Sequence, residues 1–294
     1  MSTQVVLMTG CSAGIGLVTA KRLALEPNQR YIVIATVIAM SEKTDLVAAV
    51  GDALNKTIFI EELDVTKDCD ITTVVDKILK SHGRIDILLN IAGIALGDIA
   101  ELVTRDMIEK IFNVNVFGPM RLTQAVLPQM KQRKSGKIIS MSSTAGRNGV
   151  PYMDMYSSTK FALEGFFEAL AVSLRAFNIR ICLVEPGPVR TALRDGVVEN
   201  FRTRHQDKSI DEIDTKQLQR LLDNILTEKG SYDALMPEDV AKVIVTRCVE
   251  PDEPVLRHLL IPEDLNEVVR IGMADLTGEK TIENAQQSMI KVPS

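Results

Sequence analysis

A doubly wound α/β fold on a parallel sheet is predicted by three features of the sequence. Short apolar runs recur along the chain, stretches of helical period lie between them, and a glycine-rich turn joins the first run to the first helical stretch. Such an alternation implies right-handed crossovers that cover both faces of the sheet with helices. A length of 294 residues suits one large α/β domain or two ordinary ones, and the absence of a linker or internal repeat in the sequence favours one.

The runs are Val5–Met8, Tyr31–Val37, Thr57–Ile60, Ile85–Leu89, Lys137–Met141 and Ile179–Val184. Each is rich in Ile, Val and Leu without polar alternation, as expected of strands buried on both faces. The longest apolar stretch, Tyr31–Met40, falls well short of the roughly 18–20 residues that cross a bilayer. It therefore reads as the second strand and the start of its following loop. Ile71, Val74, Val75, Ile78 and Leu79 share one helical face, and a strong helical pattern opens at Tyr156 and runs to about Phe177. Beyond Glu185 the pattern weakens. Residues 192–234 are polar and charged with a helical stretch over Gln217–Leu226, followed by a helix over Pro237–Cys248 and a last strand over Val255–Ile261. The expected organisation is one domain over residues 1–274, a mobile helical substrate lid near 190–234, and a surface tail over 275–294.

Composition narrows the function classes. A net charge of −5 offers no footprint for nucleic acid, and Lys131–Lys134 reads as a solvated helix end. No apolar run is of membrane-spanning length, and Met1–Gly10 lacks the basic segment of a signal peptide. The expectation is a cytoplasmic protein without a transmembrane segment, with peripheral membrane contact left open. Cys11, Cys69, Cys182 and Cys248 are scattered, and none of His82, His205 and His258 lies near another His or Cys in sequence. Neither a disulfide nor a metal site is expected.

The turn Thr9–Gly16 places glycines at 10, 14 and 16, a G-x-x-x-G-x-G spacing between strand and helix. Gly10 permits a sharp turn, Gly14 lets backbone amides approach a pyrophosphate, and Gly16 allows close helix–strand packing. A helix N-terminus then faces the anion. Further along, Tyr156 and Lys160 stand four residues apart and share a helix face. A neighbouring cation favours phenolate, so such a tyrosine can exchange a proton with an alcohol or ketone oxygen. Ser143 follows the fifth strand, Asn90–Gly93 follows the fourth, and Glu185–Thr191 follows the sixth. Carboxyl ends of strands line the ligand crevice of such sheets, so these segments converge on the edge that the glycine turn also uses.

These residues resemble the short-chain dehydrogenase/reductase family, closely over about residues 4–195 and more loosely to about 262. Thr9–Gly16 matches the family's TGxxxGxG turn, Asn90–Gly93 its NNAG element with Ile91 for the second Asn, and Leu63–Val65 its adenine-holding element. Asn115 falls at the family's catalytic asparagine, with Asn113 the neighbouring candidate. Ser143, Tyr156 and Lys160 complete its tetrad. Asp154–Gly165 with Val184–Val189 resembles the branch of type 1 estradiol 17β-dehydrogenase and photoreceptor all-trans-retinol dehydrogenase. The resemblance implies a Rossmann-type oxidoreductase that interconverts a hydrophobic alcohol, a retinoid or steroid, and its carbonyl. A broad carbonyl reductase, or a cofactor-binding regulator without turnover, is the alternative.

By the same resemblance, Gly10, Ser12, Gly14, Ile15, Gly16, Asp64, Val65, Asn90, Ala92, Gly93, Tyr156, Lys160, Pro186, Gly187, Val189 and Thr191 hold the cofactor. Ser143, Val150, Met153, Tyr156 and Pro188 meet the substrate. Lys160 depresses the Tyr156 pKa, and Asn115 positions a water that links Lys160 to solvent. Two departures stand out. Gln219 takes the place of a steroid-binding His. Val37 and Ile38 offer neither the acid that selects NAD nor the arginine that selects NADP. NADP(H) is expected slightly ahead of NAD(H), with Ser12 and Lys43 left to meet the phosphate. A homodimer through the helices around Thr104–Met130 and Tyr156–Phe177 is also implied.

Overall fold

β-Branched and aliphatic runs become strands at seven places. They are β1 (Gln4–Met8), β2 (Tyr31–Val37), β3 (Ile58–Glu62), β4 (Ile87–Asn90), β5 (Gly136–Met141), β6 (Ile179–Pro186) and β7 (Arg257–Leu260). The computed structural model describes residues 3–206, 210–226, 234–262, 266–275 and 277–290. All strand pairs are parallel, in the order β3-β2-β1-β4-β5-β6-β7. The order reverses between β1 and β4, which opens a crevice at their carboxyl ends.

Successive strand residues point to opposite faces, and both faces are covered. Val6, Met8, Val33, Ala35, Leu89 and Val184 join one core with Ala20 and Leu23 of α1 (Gly14–Ala24) and Val240 of α9 (Pro237–Val243). Val5, Leu7, Ile34, Leu88, Ile138 and Leu183 join the other. There they meet α3 (Asp68–His82), α5 (Gly118–Arg133) and α6 (Asp154–Leu174). This double burial explains why the strands read as unbroken apolar runs. A short α2 (Thr44–Val50) follows β2, and α4 (Arg105–Phe112) precedes α5.

The segment expected as a lid forms α7 (Ala192–His205) and α8 (Glu212–Leu226). Its residues 207–209 and 227–233 lie outside the described residues. Several boundaries differ from expectation; β7, for one, starts at Arg257 rather than Val255. β4 starts at Ile87 rather than Ile85, where the buried Asp86 carboxylate accepts from the Val5 amide at 2.8 Å and pairs with Arg84 and Arg133. The helix over Pro237–Cys248 divides into α9 and a π turn over Ile244–Val249. The expected tail contains α11 (Glu279–Ile290), which contacts α8 and α10 (Asn266–Ala274).

Glycine positions separate by the space around them. A Cβ at Gly16 would stand 2.0 Å from the Gly10 carbonyl oxygen, whereas one at Gly165 on α6 would meet nothing. Thermal denaturation is expected to show Gly16→Ala destabilised by about 1–3 kcal/mol or more through overpacking. Gly165→Ala is expected to be stabilised by about 0.5–1 kcal/mol through reduced unfolded-state entropy.

Candidate active site

The glycine turn is held by contact with the loop after β4. Gly10 adopts φ +72°, and a Cβ there would lie 2.7 Å from the Ala92 Cα. Thr9 Oγ1 accepts hydrogen bonds from the Ile91 and Ala92 amides, each at 3.1 Å. Gly14, at φ +54°, starts α1 with Thr191 Cγ2 3.2 Å from the place of its absent Cβ. Ala13 at the N-cap supplies no side-chain cap, and the first turn carries no acid. The first amides of α1 are therefore left for an external acceptor. Ser12 and Ile15 are half-buried beside them. A backbone cradle with no room for side chains and a bare helix N-terminus fits a dinucleotide pyrophosphate.

At the adenosine end, Val37 is 1% exposed and Ile38 is 56% exposed. Two residues expected on the cofactor are engaged within the protein. Asp64 Oδ1 accepts from the Thr66 amide at 2.9 Å and its hydroxyl at 2.7 Å. Burial opposes this carboxylate, but the Thr66 bonds and Lys67 outweigh it and hold its pKa below the usual range. Asn90 is buried and donates to Ser140 Oγ at 3.2 Å and Thr123 Oγ1 at 3.4 Å, tying β4 to β5 and α5. Val65 is buried against Gly118, where a Cβ would come within 2.9 Å of Val65 Cγ2. Pro186 ends β6, Gly187 donates its amide to Leu260 at 2.7 Å, and Val189 bridges to Leu235.

Three chain segments bring Asn115, Ser143, Tyr156 and Lys160 to the carboxyl edge of the sheet. Asn115 sits in a π turn over Asn113–Phe117 between α4 and α5, a local irregularity that recurs at functional sites. Its Oδ1 accepts from the Ile94 amide at 2.9 Å, and its Nδ2 donates to the Ile94 carbonyl at 2.8 Å and Thr159 Oγ1 at 3.2 Å. Ser143 Oγ donates to the Pro186 carbonyl at 3.3 Å and accepts from the Ala145 amide at 3.1 Å. Ser143 lies near enough to the Tyr156 phenol to act on its pKa. Tyr156, Lys160 and Glu164 follow at helical spacing on α6.

Burial sets the electrostatics of both groups. It raises the Tyr156 pKa, and Ser143 lowers it in part. The Lys160 ammonium donates to the Met141 carbonyl at 2.8 Å and stands 5.4 Å from the Tyr156 ring centroid. Burial brings Lys160 itself down to about 8, with the Glu164 carboxylate opposing the fall.

Thr9, Thr159, Glu164 and Glu185 are supporting residues that motif reading passed over. Glu185 is pushed up to about 7 by burial and the neighbouring Glu164 carboxylate. Arg257 Nε lies 3.1 Å from both acids. Their one sequence signal is an acid inside an otherwise apolar run, as at Val184–Pro186.

Beside this group α7 and α8 cover Met153, Tyr152 and Ile99 with Val197, Val198, Phe201, Leu218 and Leu222. Asp98 holds Arg204 of α7 through contacts of 2.6 and 2.8 Å. Tyr152 has a left-handed backbone at φ +59°, and its hydroxyl lies within reach of Asp214 and Gln217 on α8. Of the residues expected on the substrate, Met153 packs under the lid helices, Val150 is half-buried with its amide on Ser157 Oγ at 3.2 Å, and Pro188 is exposed. Gln219 is exposed on α8.

A doubly wound sheet, a glycine cradle at a helix N-terminus, and a serine–tyrosine–lysine group on the same edge define a dinucleotide-dependent oxidoreductase. The chain belongs to the short-chain dehydrogenase family, whose model matches residues 4–201. It is 40% identical to retinol dehydrogenase 8 of Bos taurus over 86% of this chain and 80% of that protein. It is 33% identical to 17-beta-hydroxysteroid dehydrogenase type 1 of Homo sapiens over 96% of this chain and 84% of that protein. A solved structure of ElxO with NADP bound is similar over 88% of this chain and 96% of its own, at 25% identity and a TM-score of 0.70. Membership makes this protein an oxidoreductase of alcohol CH–OH groups that works with a nicotinamide dinucleotide.

The buried lysine gives a pH test. With its pKa lowered from 10.5 to about 8, the folded state binds fewer protons at Lys160 than the unfolded state between those values. Its burial therefore costs stability at neutral pH, and the cost fades as pH rises from about 8 toward 10.5. Denaturant titrations are expected to show Lys160→Met relatively more stable at pH 7 than at pH 9.5, each against the wild type.

Proposed function

We propose that this chain interconverts a retinoid or steroid alcohol and its aldehyde or ketone, preferring NADP(H) slightly over NAD(H). The observation that carries the reading is the gathering of Ser143, Tyr156 and Lys160 at the carboxyl edge of the sheet, with Lys160 Nζ 5.4 Å from the Tyr156 ring centroid. The two relatives above, whose names specify retinol and 17-beta-hydroxysteroids, support the substrate class. The apolar cluster that the lid helices share with Met153 supports a hydrophobic ligand.

In this reading Gly10, Gly14 and Gly16 and the first amides of α1 receive the pyrophosphate. Ser12 and Ile15 flank it, and Asp64 and Val65 border the adenine. The loops Asn90–Gly93 and Pro186–Thr191 enclose the nicotinamide half, with Ala92, Gly93, Gly187 and Val189 giving backbone contacts. The dinucleotide supplies the hydride chemistry. Ser143 fixes the substrate oxygen, and Tyr156 gives it a proton in reduction and removes one in oxidation. Lys160 leaves the Met141 carbonyl to hold ribose hydroxyls and then faces the phenol, lowering its pKa. Asn115 positions the loop at Ile94 and a water that serves Lys160. Val150, Met153 and Pro188 border the cleft, which closure of α7 and α8 dries.

Exposed Phe117 on the π turn, with Phe161 and Val172 on α6, lies on the helices through which a homodimer is proposed. Four free cysteines accord with a reducing cytoplasmic setting.

Rates with NAD(H) and NADP(H) against all-trans-retinol and estradiol test the substrate class; no turnover of any retinoid or steroid sinks it. Tyr156→Phe is expected to lower turnover by about 10²–10⁴-fold while leaving cofactor binding, read by nucleotide fluorescence, intact. Ile38→Arg is expected to raise the NADP/NAD ratio of kcat/KM about tenfold through a charge-assisted phosphate bond. A strong native preference for either dinucleotide would show that the selecting residue lies elsewhere.

A further inference from the structure

Away from the crevice, the fold gathers three soft-metal ligands that the sequence scatters. Cys182 lies on β6, Cys248 in the π turn Ile244–Val249, and His258 on β7. All three are buried, and their two sulfurs and one ring nitrogen lie within 4.8 Å of one another. A tetrahedral zinc centre spaces such atoms about 3.5–3.8 Å apart, given Zn–S near 2.3 Å and Zn–N near 2.0–2.1 Å. A contraction of about 1 Å at the widest pair reaches that geometry.

The surroundings suit a ligand set. His258 Nε2 stands 3.1 Å from the Val255 carbonyl oxygen. A carbonyl can only accept, so Nε2 carries the proton and Nδ1 keeps its lone pair. A backbone carbonyl that fixes the tautomer this way is the common support of a metal-bound histidine. Lys137 donates to the carbonyls of Val249 at 2.6 Å and Pro251 at 2.5 Å, pinning the segment that follows Cys248. An open groove of about 400 Å³, lined by Thr246, Pro251, Pro254, Val255 and His258 among others, leads from solvent to the histidine. It provides an entry path and room for a water as fourth ligand.

We propose that Cys182, Cys248 and His258 bind a thiophilic divalent cation, Zn²⁺ by its coordination chemistry. Two S–Zn bonds and one N–Zn bond replace water on the ion, and each neutral thiol releases its proton to solvent. The ion joins edge strand β7 and the π turn to β6. Binding to the folded chain alone therefore raises stability in proportion to ion concentration.

The test uses the full chain kept reduced with a phosphine. Co²⁺ titration is expected to give thiolate-to-cobalt charge-transfer absorption with one ion per chain. Zn²⁺ should displace it, and the thermal midpoint should rise with Zn²⁺. Cys182→Ser and His258→Gln are expected to weaken binding at least about tenfold, while Cys69→Ser, which removes an exposed thiol, leaves it unchanged. Mass-spectrometric mapping in the wild type covers the case in which a variant fails to fold. There Zn²⁺ should protect Cys182 and Cys248, and not Cys69, from alkylation. Absence of the charge-transfer band, loss of binding in Cys69→Ser, or equal alkylation of Cys182 and Cys248 with and without Zn²⁺ overturns the proposal.

Discussion

The contact on which the rest of the site depends is backbone against backbone at the switch point of the sheet. The turn after β1 and the loop after β4 approach so closely that Gly10 has no room for a Cβ beside Ala92. Gly16 has none beside Gly10. The Thr9 hydroxyl takes the two amides that this approach would otherwise leave unpaired. Three short residues thereby set both the direction of α1 and the position of the loop that carries Gly93 to Asn115. The turn after β1 and the loop after β4 are consequently packed as one unit.

On that base, α6 carries the side chains to which the proposed function assigns the proton transfer. Its helical rise places Tyr156 and Lys160 one turn apart, and burial supplies the tuning. Burial acts in opposite senses on the two groups, holding the phenol protonated and bringing the lysine toward neutrality. The lysine donates to the Met141 carbonyl, which ties α6 to the end of β5. The lid is fastened differently, by an apolar cluster and by polar links at Asp98–Arg204 and Tyr152–Asp214. Such links break one at a time, as the proposed role of α7 and α8 as a lid requires.

Most of the architecture was legible because both sheet faces are covered. Unbroken runs such as Tyr31–Val37 and Ile179–Val184 follow from that burial, and their strands fall where the runs stand. The glycine turn and the tyrosine–lysine pair were legible because local spacing alone fixes their geometry. What escaped depends on contacts between distant segments. The Glu164–Glu185–Arg257 group joins α6, β6 and β7. The cluster of Cys182, Cys248 and His258 likewise comes from three separate elements, so no spacing rule could announce it. The helix at Glu279–Ile290 escaped because its sequence is polar and its packing partner, α8, is remote in the chain.

Val37 and Ile38 are neighbours with opposite freedoms. Val37 lies inside the core and Ile38 stands in solvent. A carboxylate placed at Val37 would have to be desolvated among Ala35, Leu46 and Ile58 of the same core. A cation at Ile38 would disturb nothing. The mutational neighbourhood of this chain is therefore lopsided. If these two positions select the nucleotide as proposed, a cation at exposed Ile38 is the accessible change, and a carboxylate at buried Val37 requires the interior to be rebuilt first.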